Sequence, residues 1–200
     1  MTTMTLSMLD QAELLQLALN ASAADDSGTA IAYLKEAVSR PDGTSVAHYI
    51  LGAEYAQIKM YERAAGEMEA ALALDPALSI ARLQLGLLWL TGGAGDKALA
   101  VFGPLAELPV TDPLRLFGQG LSHLARDEFA DARAALEAGI VLNTVNLPLN
   151  GDMQRMIGEI DALVANVTPA GQAAAEAAPE TAPEDAHRML LSAYTGNTGH

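Results

Sequence analysis

Small residues recur every 34 positions along this chain. Ala18, Gly52, Gly86 and Gly120 form one series, and Ala30, Ala64, Ala98 and Ala132 form another. A bulkier series runs Leu34, Met68, Phe102 and Leu136, and a fourth, Leu17, Leu51 and Leu85, is broken by Gln119. A period of this length, held over four copies without an insertion, is the signature of stacked helical repeats. The residue types say how each copy is built. Two antiparallel helices that cross closely need a Gly or Ala late in the first and an Ala early in the second. The bulky residue four positions past that Ala fills the space beside the crossing. One such hairpin cannot bury its own apolar face, so neighbours must stack to make a continuous core.

Local chemistry marks where the helices end. Pro41-Asp42-Gly43 and Asp75-Pro76 stop second helices, because proline cannot continue a helix. Thr91-Gly92-Gly93-Ala94-Gly95 reads as the turn inside the third hairpin, and Asp112 before Pro113 as an N-cap followed by a first-turn proline. Half the residues are apolar and Ala and Leu dominate, which favours an all-α chain. Beyond the repeats, Met153, Met156, Ile157, Ile160, Leu163 and Val164 predict an amphipathic helix over 150–167 that covers the last hairpin. Residues 168–186, rich in Ala, Glu and Pro, read as a disordered linker, and 187–200 begins with an apolar motif, Met189, Leu190, Leu191 and Tyr194.

Residues 45–78 resemble the tetratricopeptide repeat. The family's Leu-Gly pair matches Leu51 and Gly52, its aromatics Tyr55 and Tyr61, its alanines Ala64 and Ala71, and its closing proline Pro76; His48 departs from the usual Trp. Residues 79–112 are similar through Leu85, Gly86, Trp89, Ala98 and Phe102, although Gly95 replaces the second aromatic. Residues 113–146 keep Gly120, Phe129, Ala132 and Leu136, and 11–44 keep Ala18, Ala30, Leu34 and Ala37. The resemblance implies a right-handed α-α superhelix of four hairpins, with residues 1–10 as a short N-terminal segment.

The resemblance also implies a concave groove lined by four positions of each first helix. Those are Ala12, Leu15, Leu19 and Ser22; Val46, Tyr49, Ala53 and Ala56; Ile80, Leu83, Leu87 and Leu90; and Leu114, Phe117, Leu121 and Leu124. None is charged. Family members that clamp acidic chaperone tails use Lys, Arg and Asn in this groove, so that role is not expected. A helix needs only one apolar stripe to join a core, yet Ile80 to Leu90 is apolar nearly all round. The extra stripe is expected either to be an open binding surface or to be covered by a second copy or the C-terminal helix.

The net charge of −14 disfavours nucleic acid and anionic membrane surfaces and tolerates a basic partner. There is no cysteine, which excludes disulfides and Cys-ligated zinc and fits a reducing cytoplasm. No apolar run is long enough for a membrane helix. Gly92, Gly93, Gly95, Asp96 and Lys97 lack the order of a phosphate loop. His48 and His123 read as packing residues with no carboxylate at ligand spacing, Asp25-Asp26 as a turn, and Glu67 and Glu69 as a solvated face. No catalytic constellation and no cofactor are expected. The expected function is a cytoplasmic protein-binding module that holds an apolar or amphipathic, and by charge a basic, peptide. Its layout resembles the tetratricopeptide chaperones of type III secretion translocators. The other reading is a scaffold or regulatory subunit, with a homodimer possible, whose tail docks in the groove of its own or a neighbouring chain.

Overall fold

The computed structural model describes Leu6 and residues 8–167. Residues 1–5 and 7 of the N-terminal segment, the expected linker 168–186 and the tail motif Met189, Leu190, Leu191 and Tyr194 lie outside the described residues. Among the described residues every regular element is a helix. The first helices, α1 (Gln11–Ala23), α3 (Ser45–Gln57), α5 (Ser79–Thr91) and α7 (Pro113–Leu124), begin 34 residues apart. So do the second helices, α2 (Ser27–Ser39), α4 (Tyr61–Leu74), α6 (Gly95–Phe102) and α8 (Phe129–Leu142). A last helix, α9 (Leu147–Val167), starts at Leu147 instead of the expected 150. The chain divides into two compact units, one ending at Leu85 and one beginning at Gly86 within α5.

In the first unit, α1 pairs with α2 and α3 with α4, and α2 packs on α3. The small-residue register explains the closeness of the pairs. A Cβ on Gly52 would stand 2.9 Å from Met68 Cγ and 3.0 Å from the Ala64 carbonyl oxygen. At the matching place in the first hairpin, Ala18 and Leu34 are both fully buried. Buried Leu14, Ala37 and Ala47 form a core cluster that Leu9, Leu15, Tyr33 and Val38 partly cover. Arg40 pairs with Glu36 at 3.0 Å and donates to the carbonyls of Leu6 (2.7 Å) and Leu9, which ties the start of the chain down.

In the second unit, α7 pairs with α8 and α9 packs on α8. The same register recurs: a Cβ on Gly86 would enter the Phe102 ring, and one on Gly120 would meet Leu136 at 2.8 Å. Leu149, Met153, Met156 and Ile160 are the buried stripe of α9. The third hairpin departs from the pattern. Its second helix, α6, has 8 residues where α4 and α8 have 14, and a 3-10 helix over Gly103–Glu107 follows it. Pro104 lacks the N–H that the α-helical ladder needs, so the chain tightens there. Leu105 is thereby buried against Gly118 of α7.

Each hairpin turns in the same way. Asp25, Lys59, Gly93 and Asp127 have φ of 57°, 61°, 76° and 59°. The residue after each donates to a carbonyl five back: Asp26 to Ala21 (2.9 Å), Met60 to Tyr55 (2.8 Å), Ala94 to Trp89 (2.8 Å) and Glu128 to His123 (3.0 Å). These are Schellman closures, which consume the orphan carbonyls at a helix end. Helix starts are capped by side chains where the sequence allows it. Asp10 forms a capping box with Glu13, Asp26 accepts from the Thr29 N–H, Thr44 from Ala47 and Asp112 from Leu114. The bonds to Thr29 also hold the Asp26 carboxyl below its usual range.

Candidate functional site

The charge-free stripe of the first helices is open on α1 and α3 and largely closed on α5 and α7. On α1, Leu15 is half-buried and Leu19 is 47% exposed; on α3, Val46 is 43% exposed and Tyr49 and Ala53 are half-buried. Burial pushes the Tyr49 hydroxyl above its usual pKa. Leu83, Leu90, Phe117, Leu121 and Leu124, by contrast, are buried inside the chain itself. These five groove positions therefore belong to the packed core and not to an open wall. Leu87 and Leu114 keep partial exposure.

The reason lies in how many sides of a first helix are packed. α7 meets α8 on one side and the 3-10 helix and α6 on others. Its Gly120 faces Leu136, its Gly118 faces Leu105, and Phe117 lies where a Cβ on Gly139 of α8 would stand, 2.5 Å from the ring. A helix in such a place needs more than one apolar stripe for its own core. On α5, no residue from Ala81 to Leu90 is exposed.

The polar neighbourhood of the open stripe was only partly foreseen. His48 of α3 does have a carboxylate partner: its Nδ1 lies 2.7 Å from Glu67 Oε2 on α4, so Glu67 is not merely a solvated group. His123 Nδ1 likewise lies 2.6 Å from Glu128 Oε2. These are pairs that lock a hairpin. Among the described residues no three His, Cys, Asp or Glu side chains converge as a metal site would require. Asp25 is the left-handed turn residue and Asp26 the cap of α2, as a turn reading of that pair requires. Glu54 of α3 is buried, and its Oε2 meets no hydrogen-bond partner among the described residues. Sequence reasoning missed it, although an acid set between Ala53 and Tyr55 was the available signal. Among the described residues no helix is long and apolar enough to cross a membrane.

Fold and register together define the class: an all-α protein of consecutive helical hairpins consistent with tetratricopeptide-type repeats. Solved structures agree with this. The chain is similar to "MamA 41-end from Desulfovibrio magneticus RS-1" at a TM-score of 0.59 and 18% identity, covering 95% of this chain and 99% of that one. It is similar to "MamA RS-1 ArsTM double mutant" at 0.58 and 18%, covering 94% and 98%. A further structure titled "Crystal structure of MamA" matches at 0.56 and 22%, over 66% of this chain and 78% of that one. Likeness at these identities shows the fold. No protein-family model and no curated protein matches the chain.

Proposed function

We propose that this protein is a binding module which holds an apolar or amphipathic peptide segment against the first-helix stripe of its first unit. The observation that carries the reading is the open, uncharged surface of Leu15, Leu19, Val46, Tyr49 and Ala53 on α1 and α3. Stacked helical repeats characteristically use such faces for docking, and an amphipathic helix laid on an apolar face is a recurrent recognition mode. The net charge of −14 favours a guest with a basic flank. Leu87 and Leu114, half-buried in the second unit, are its secondary candidates. A secretion-type chaperone and a scaffold subunit both use a surface of this kind, and the identity of the guest separates them.

The probe is a synthetic Leu/Lys amphipathic helix, titrated calorimetrically into the full chain, with a Leu/Glu helix of equal hydrophobicity as control. Binding of the basic helix, weakened at least about tenfold by Leu19→Glu with Val46→Glu, is the expected result. Both positions are substantially exposed, so the fold tolerates the change. Equal affinity for the double variant, or no preference for the basic helix, overturns the reading.

A further inference from the structure

One corner of the second unit carries apolar surface that the fold does not use. Where α8 gives way to α9, Val141 is 78% exposed and Val145 is 93% exposed, and Leu142 and Leu147 are exposed beside them. Four such side chains within seven residues are dense for a surface turn. The turn is also well ordered by its hydrogen bonds. Buried Asn143 donates through Nδ2 to the Asn146 carbonyl and to Asn150 Oδ1, both at 2.7 Å, and the Asn150 Nδ2 returns a bond to the Asn143 carbonyl at 2.9 Å. No residue from Ala138 to Gly151 is charged. A rigid, uncharged apolar corner of this kind is a docking surface.

We infer that this corner is the dock for the chain's own segment 187–194, His-Arg-Met-Leu-Leu-Ser-Ala-Tyr. The chemistry matches: Met189, Leu190, Leu191 and Tyr194 are the first large apolar side chains after Val167, and no acidic residue follows Asp185. The reach matches as well. The 21 residues of α9 rise ~1.5 Å each, so Val167 stands roughly 30 Å from the corner. A chain of roughly twenty residues, the length between Val167 and His187, reaches up to about 60 Å when drawn out. The segment is therefore within reach of the corner without full extension of the intervening chain. Tethering holds it near the corner at an effective concentration of order millimolar. A second copy has to find the same corner from bulk solution, against the repulsion of two chains of charge −14. This surface shares no residue with the first-unit stripe, so the two proposals stand or fall independently.

The absence of cysteine gives a clean test. In the full chain, Val145→Cys is combined with Ala193→Cys and oxidised mildly. The control pair is Ala134→Cys with Ala193→Cys, because Ala134 is exposed on α8 at a comparable tether length. The expected result is a disulfide within one chain, formed at a rate independent of protein concentration and at least about tenfold faster than in the control. Adding Leu190→Glu and Leu191→Glu should return the rate to the control value. Equal rates in the two cysteine pairs mean that the segment has no preferred seat and overturn the proposal. Disulfides formed only between chains assign the corner to a second copy and overturn it equally.

Discussion

Among the described glycines, Gly86 leaves the least room for a side chain beside Phe102, and this makes a sharp prediction about two chemically identical substitutions. A Cβ at Gly86 would lie 2.2, 2.6 and 2.7 Å from three carbons of the Phe102 ring. Carbon atoms in proteins rest at about 3.5–4.0 Å, so the ring must move by more than about 1 Å. It has nowhere to go, because Phe102 is itself buried. Overpacking of that kind costs about 3 kcal/mol, the upper part of the usual range. Replacing a mid-helix Gly by Ala returns about 1 kcal/mol of helix propensity. Gly86→Ala should therefore lose about 2 kcal/mol, a fall of about 4–8 °C in Tm for a chain of this size. Gly66 provides the control. It too is inside a helix, but a Cβ there meets nothing within 4 Å. Gly66→Ala should gain about 1 kcal/mol, or about 2–4 °C. The first hairpin suggests how to relieve the clash, since its register has Ala18 and Leu34, both fully buried, in place of Gly86 and Phe102. Adding Phe102→Leu to Gly86→Ala should recover at least about 1 kcal/mol by thermal or urea unfolding. If Gly86→Ala stabilises the chain as much as Gly66→Ala does, the crossing-point argument is wrong.

The hairpin turns predict opposite signs for reciprocal changes. Lys59→Gly should stabilise by about 1 kcal/mol and Gly93→Ala should destabilise by a similar amount, since left-handed backbone disfavours any Cβ; urea unfolding of both variants checks this. Glu54→Met, which removes a buried carboxylate oxygen that has no partner among the described residues, should raise stability by about 1–2 kcal/mol. An unchanged or lowered urea midpoint would show that the acid is satisfied in solution. Burial raises the Glu159 pKa, with Arg155 opposing it weakly. A raised folded-state value means that the folded chain holds this proton more tightly. Its contribution is therefore full in acid and is lost as pH rises through the folded value. Glu159→Gln should accordingly melt higher than the parent near neutral pH, and the gap should close as pH falls toward about 4.

Much of this architecture can be read from the residues directly. The Gly52, Gly86 and Gly120 register fixes the helix crossings, and Asp112 with Pro113 fixes the start of α7, because these depend on local sterics and capping. Three things escaped. Phe117 and Leu121 were assigned to an open wall because the repeat register tells which way a side chain points, but not how many elements pack around its helix. The Glu67 partner of His48 lies 19 residues away on another helix, beyond any short spacing rule. Asp25 was read with Asp26 as a turn, but the left-handed backbone it shares with Lys59 and Asp127 was not foreseen. The 34-residue offset from Gly93 would have found them.

Those four turns carry a consequence for how such a chain can change over time. Their closure is made entirely by main-chain atoms, from one peptide N–H to one carbonyl oxygen. The closure asks of the pivot residue only that it tolerate the torsion angle, which is how an anion, a cation and a bare hydrogen come to occupy equivalent pivots. Mutation can therefore rewrite the outer charge at the hairpin tips while the helical frame beneath keeps its dimensions.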